Sequence, residues 1–194
     1  MSIAHIASIP TDLTAEQFLA TDQHSFGDAW RYELVAGEVV AHAAPSPRHA
    51  AILAGLMGAL ANRLKGRPNG CVPEAGSGAV PRRGQRNTAR IPDALVRCGE
   101  HPRVTFEIIS PSELRDWQGR DQKRHDVQDV QGVVEIIELY QRQMALHTYR
   151  KSPDGTWTFE SVGGAEAMLE IPSLGMAIPL AEIYEFATLD DDGE

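Results

Sequence analysis

Asp93 and Glu107 each interrupt a short apolar run, Ile91-Pro92-Asp93-Ala94-Leu95-Val96 and Val104-Thr105-Phe106-Glu107-Ile108-Ile109, whose other residues suit buried strands. The segment between the runs is polar and holds Gly99 and Pro102, so the pair reads as a hairpin. A turn centred on Glu100 sets Asp93 directly across from Glu107. Directly opposed residues share one face, with Cβ atoms about 5 Å apart. Two carboxylates that close in an apolar sheet need a proton, a basic partner or a divalent cation. A metal ion is the simplest of the three. The expectation depends on register, because a slip by one residue sends the acids to opposite faces.

A lysine completes the set. The segment 121–132 reads as a helix with Asp121 as N-cap, Gly132 just past its end, and Val127 and Val130 on its apolar side. Lys123 precedes Val127 by four residues and so lies on the stripe that faces the sheet, where a lysine needs an acid or a phosphate. Two acids on adjacent strands and a lysine on the next helix suit metal-assisted phosphodiester hydrolysis. In that chemistry the acids hold Mg²⁺ or Mn²⁺, the metal polarises the phosphate and acidifies a water, and the lysine orients the water or offsets developing charge.

Ile91-Pro92-Asp93 followed by Phe106-Glu107-Ile108-Ile109-Ser110-Pro111-Ser112 resembles the core of the Uma-two family of restriction-endonuclease-like proteins, a branch of the PD-(D/E)XK nuclease superfamily. Three further stretches fit the resemblance: Arg31 to Glu38, Pro45-Ser46-Pro47-Arg48-His49, and Ile178 to Tyr184. It runs from about Leu13 to Phe186. The resemblance implies that Asp93 and Glu107 are metal ligands and that Lys123 is the catalytic lysine, moved from the strand to the following helix. The superfamily's Glu-x-Lys is absent, since Ile109 stands at the lysine position.

The elements that position these residues are legible in outline. Thr14-Ala15-Glu16-Gln17 is a capping box opening a short helix. Tyr32 to Ala41 alternates around Ala36-Gly37 and reads as a tight hairpin, with Glu33 and Glu38 on one face. Those two glutamates are either accessory groups near the metal or the hairpin's solvent face. Ser46 and Pro47 open a helix with an apolar stripe of Leu53, Leu56, Leu60 and Leu64. His49 shares that stripe in the first turn, as an accessory group near the acids or as a core-edge histidine. Residues 71–80 read as a strand interrupted by Gly76 and Gly78, 133–139 as a buried strand, and 144–149 with 157–162 as a hairpin.

At 194 residues and 42% hydrophobic content, the chain suits a single domain over 1–194, with loose ends at 1–10 and 187–194. No secretory leader pattern and no run of about 18 apolar residues stands out, which points to a cytoplasmic protein without a membrane contact. Cys71 and Cys98 have no zinc spacing and read as free buried thiols. The net charge of −9 argues against a general nucleic-acid binder, but residues 82–125 hold ten of the 18 basic residues against six acids. Within that stretch Arg82, Arg83, Arg86 and Arg90 form either a basic lip for phosphates or a solvated surface.

The fold expected is α/β (α+β): a restriction-endonuclease-like core with a central mixed sheet flanked by helices, and an N-terminal β-hairpin. The expected activity is Mg²⁺- or Mn²⁺-dependent endonucleolytic hydrolysis of nucleic acid, DNA foremost, by a homodimer. The Ile108 backbone carbonyl is a further candidate ligand. The rival is a non-catalytic dimeric binding or regulatory protein that keeps the fold while Arg82, Arg83 or Arg90 neutralises the acids.

Overall fold

The computed structural model describes residues 12–27, 29, 31–81 and 87–189. Its centre is a six-stranded mixed sheet in the order β3-β4-β5-β6-β7-β8, formed by Cys71–Ala75, Ala94–Cys98, His101–Ile109, Glu135–Tyr140, Ala145–Lys151 and Trp157–Gly163. All neighbours run antiparallel except β5 and β6. A parallel pair requires a crossover, and here it is helical. Ser110 opens α3 (Pro111–Arg115) with a capping box, and Asp116 opens α4 (Trp117–Gln128) by accepting from Gly119 N–H. This corrects the helix expected over 121–132. The signal at Asp116 is weak because the first turns of α4 are polar and Trp117 is exposed, so no apolar stripe marks them.

One sheet face is aliphatic. Ala94, Val96, Val104, Phe106, Ile108, Ile137, Leu139 and Leu146 pack against α2 (Pro47–Leu64), the hairpin of β9 (Met168–Ile171) and β10 (Met176–Pro179), and α5 (Leu180–Ile183). Ser46 caps α2 by accepting from His49 N–H, and Pro47 begins it. Gly55 permits the close approach of α2 to α5, since a Cβ there would lie 2.2 Å from the Ile183 carbonyl oxygen. Ala187 and Leu189, in the stretch expected to be loose, also pack on this core.

A smaller core joins α1 (Ala15–Ala20) to β1 (Arg31–Val35) through Phe18, Phe26, Tyr32, Leu34 and Ile91. Strand β1 forms a hairpin with β2 (Glu38–His42), pairing Val35 with Glu38 and Glu33 with Val40. The turn places Ala36 and Gly37 at positive φ, as the short loop requires. A bridge from Leu34 to Ala89 fastens this hairpin beside the run that leads into Asp93.

Cys71 and Cys98 are directly opposed in the β3–β4 ladder and form a disulfide, which corrects the free-thiol expectation. Cross-strand pairing brings them together, and that pairing was not readable without the register of β3. No helix among the described residues is long and apolar enough to cross a membrane.

Candidate active site

The hairpin register brings the two acids together. Ala94 pairs with Phe106, Leu95 with Thr105 and Val96 with Val104, and Asp93, at the bend just before this ladder, lies close enough to Glu107 for their charges to interact. A bulge between Val96 and Arg97 then absorbs the turn at Gly99 and Glu100. Asp93 is 6% exposed and Glu107 8%. Asp93 Oδ2 accepts from Ile108 N–H at 2.8 Å, replacing the ladder acceptor that a continued strand would supply. In an antiparallel hydrogen-bonded pair the N–H and C=O of one residue point to the same neighbour. The Ile108 carbonyl therefore points to the Asp93 side of β5.

Cations surround the acids. Arg31 Nη1 donates to Asp93 Oδ1 at 2.8 Å, and His49 Nε2 lies 3.4 Å from the same oxygen. Lys123 reaches both Glu107, at 2.9 Å to Oε1 and 3.0 Å to Oε2, and Glu33 Oε1 at 3.0 Å. Its Nζ also lies 3.5 Å from the Ile91 carbonyl. Glu33, fully buried, accepts from Ile91 N–H at 2.9 Å and from Arg90 Nη1 at 3.1 Å, with His42 Nε2 at 3.4 Å. Arg90 also pairs with buried Asp126 on α4 at 2.6 Å. The result is a buried network in which four carboxylates meet Arg31, Arg90 and Lys123.

The carboxylates are not equivalent. Burial pushes Asp93 upward, but His49, Arg31 and Lys123 together hold it well below the usual carboxylate range. Glu33 is also held below the usual range: burial opposes this, and Lys123, His42 and the Ile91 N–H outweigh it. Glu107 goes the other way, raised to about 8, because burial and the charge of Asp93 exceed the help from Lys123 and Arg31. Burial would lower Lys123, but Glu107 and Glu33 raise it above its ordinary value. Glu107 is thus the acid whose charge is least compensated, and Lys123 stays protonated.

The donor set fits a hard divalent cation. Asp93, Glu107 and the Ile108 carbonyl offer oxygen only. Glu107 Oε1 is buried and, apart from the Lys123 ammonium beside it, meets no donor among the described residues. The two cysteines are joined to each other and offer no thiolate. Among the described residues no group of three or more His, Cys, Asp or Glu forms a ready-made metal shell. A cation held here would compete with Arg31 for Asp93.

The other sequence candidates fall apart from one another. Glu33 and His49 join the acids, whereas Glu38 is exposed beside the hairpin turn. Sharing a nominal face with Glu33 is not enough, because the face is buried only where the sheet lies beneath it. Arg90 is buried in two ion pairs and is no part of a basic lip. Arg82, Arg83 and Arg86 lie outside the described residues. Sequence reasoning missed Arg31 and Asp126. The polar Arg31 at the head of an alternating strand was the one available signal for the former, and nothing local marks its partner.

The central mixed sheet flanked by helices is that of a nuclease-like fold. The chain belongs to the Uma2 family, described as "Putative restriction endonuclease", whose model matches residues 15–181. Among solved structures it is similar to a "putative nuclease belonging to DUF820" from Anabaena variabilis ATCC 29413. That similarity has a TM-score of 0.66 at 14% identity and covers 90% of this chain and 98% of the other. No curated protein matches the chain.

Proposed function

We propose that the protein is a Mg²⁺- or Mn²⁺-dependent endonuclease acting on nucleic-acid phosphodiester bonds, with DNA the substrate class favoured and a homodimer the assembly. The observation that carries this reading is the meeting of Asp93, Glu107 and Lys123 beside the Ile108 backbone, whose N–H donates to Asp93. Asp93, Glu107 and that carbonyl are the groups that would hold the cation, and the cation supplies Lewis acidity toward a phosphate oxygen and toward water. Lys123, kept protonated by its two glutamates, offsets negative charge on the phosphate and orients a water rather than removing a proton from it. Glu33 fixes the lysine in place. His49 touches Asp93 from the first turn of α2 and helps hold its carboxylate charged.

The test is cleavage of supercoiled, linear duplex and single-stranded DNA in Mg²⁺ and in Mn²⁺. Turnover is expected, and Asp93→Asn or Glu107→Gln should abolish it while leaving a folded protein. Arg82, Arg83 and Arg86 are proposed to bind phosphates. Replacing them with glutamine should flatten the slope of log affinity against log salt on duplex DNA by about 0.9 for each phosphate no longer neutralised.

A second reading has one observation in its favour. Arg31 already neutralises Asp93, as expected of a binding or regulatory protein that keeps the nuclease fold without catalysis. Failure of all three substrates in Mn²⁺, with calorimetry showing no divalent cation bound, would favour it over the first.

A further inference from the structure

The sheet face that carries the acids continues beyond them. Glu107 pairs with Glu138 across β5 and β6, Glu138 with His147 across β6 and β7, and His147 with Ser161 across β7 and β8. That row fixes one face, and alternation adds Tyr149 and Lys151 from β7 with Trp157 and Phe159 from β8. Helix α4 packs over β6, and β8 is an edge strand. Past the helix Phe159 is 57% exposed, while Tyr149 and Trp157 are half-buried against the cluster of Val127, Val130, Val133 and Ile136.

The rings on this part of the face touch one another. Tyr149 and Phe159 have centroids 5.3 Å apart, and His147 lies edge-on to Phe159 at 4.8 Å and to Tyr140 at 4.9 Å. Cations alternate with the rings: Arg124 sits 4.5 Å over Tyr149 and Lys151 sits 5.7 Å from the Trp157 ring. Arg120, one helical turn before Lys123, is held beneath this face, with its Nε 4.0 Å from Glu138 and its side chain hydrogen-bonded to Tyr140. Trp157 and Lys151 also border a cleft of about 580 Å³ with Arg103 and His125.

One exposed phenylalanine needs no explanation. A contiguous set of rings interleaved with cations, on the same face as a nuclease-like site, has a specific chemistry. Unpaired bases offer flat π faces for stacking and phosphates for cations, and an open sheet face with aromatics is one way proteins hold them. Trp157 and Phe159, two residues apart on one strand, are about 7 Å apart along it, room for separate bases. Three strand spacings, about 14 Å, separate β8 from Glu107 on β5, with α4 over β6 between them, so a nucleic-acid strand reaching both places passes around the helix. A duplex keeps its base faces stacked inside and cannot use such a surface. A second copy of this chain would set the same cations of the face against themselves across a two-fold axis.

We propose that the β7–β8 face binds an unpaired stretch of nucleic acid, with bases stacked on Phe159 and Trp157 and phosphates held by Lys151 and the neighbouring Arg103. The substrate is therefore single-stranded or carries a single-stranded end or flap. This rests on the nuclease reading only for the substrate's identity, since binding at the face needs no metal.

The test is fluorescence anisotropy in EDTA, using a labelled oligothymidylate and a duplex of equal length on the full chain. The single strand should bind at least about tenfold tighter than the duplex. Phe159→Ala should cost about tenfold on the single strand, within the usual range for a lost base stack, and leave the duplex unchanged. Phe159→Leu, apolar but without a π face, should behave like the alanine variant, and both should melt with the parent because the ring is exposed. Single-strand affinity that is absent, or indifferent to Phe159→Ala, overturns the inference, as does full affinity in Phe159→Leu. Loss of a dimer in Phe159→Ala by sedimentation, with nucleic-acid affinity untouched, also overturns it and makes the face a self-contact. Cleavage is scored separately. Turnover that depends on Asp93 without single-strand binding through Phe159 removes this inference alone, and single-strand binding through Phe159 without turnover removes the nuclease reading alone.

Discussion

Arg31 and Asp93, 62 positions apart, form a direct ion pair in which Nη1 donates to Oδ1 at 2.8 Å, while the other carboxylate oxygen is taken by the Ile108 N–H. Both oxygens of a proposed metal ligand are therefore engaged, and a cation must compete with a hydrogen-bonded guanidinium. Hydrogen bonds to charged groups contribute about 1.5 to 3 kcal/mol. Arg31→Gln should therefore raise Mn²⁺ affinity by about tenfold or more, measured by calorimetry, if Asp93 is a ligand. Unchanged affinity would show that the cation binds elsewhere.

Lys123 neutralises two buried carboxylates at once, so its removal is a structural as well as a chemical change. Measured above pH 8, where Glu107 is ionised, Lys123→Met should destabilise the metal-free protein by about 3 to 5 kcal/mol in urea, since it strands charge on Glu107 and Glu33. Adding Glu107→Gln should recover part of the loss, because one stranded charge is gone. If the double variant is no more stable than the single one, the lysine's main partner is Glu33.

The acid hairpin was legible because its two apolar runs, the turn residues and the Asp93–Glu107 spacing agree on one register, and the ladder from Ala94–Phe106 to Val96–Val104 has it. The capping box at Thr14, the Ala36-Gly37 turn and the Ser46 cap were legible for the same reason: each is a local contest among backbone donors. What stayed hidden is long-range. Arg31 on Asp93, Arg90 on Asp126 and Cys71 on Cys98 depend on which distant strands and helices become neighbours, and no local pattern encodes that. The β9–β10 hairpin escaped because four-residue strands around Pro172 to Gly175 give too short a period to read.

The disulfide joins β3 to β4 at one end of the sheet and closes a loop with a sequence separation of 27. Cross-linking a loop of that size restricts the unfolded chain by about 3.5 kcal/mol in the chain-entropy account. Cys71→Ser with Cys98→Ser should lower stability by about that amount, and thiol titration of the untreated, denatured protein should find no free thiol. Two titratable thiols in protein kept from reductant would show that the pair is open. Disulfides persist in oxidising conditions, so the stabilisation should vanish on reduction.

The pH dependence of the metal-free protein separates Glu107 from its neighbours. Its folded value of about 8 lies above the ordinary 4.5, so the folded state binds a proton that the unfolded chain releases earlier. The stability this contributes is complete below about pH 4.5 and is lost as pH rises to about 8. Asp93 and Glu33 act in the opposite sense, because their folded values are depressed: their contribution is present above the ordinary carboxylate range and is lost on acidification. Denaturant melts in EDTA should therefore show Glu107→Gln gaining on the parent steadily from pH 5 to 8, while Asp93→Asn shows no such gain. Occupation of the site by a cation should act on the same group, since the ligand must be ionised, so Mn²⁺ affinity should rise about tenfold per pH unit below 8 and then level off. A parent and Glu107→Gln pair whose stability difference is flat across that window would show that Glu107 is already ionised by Lys123.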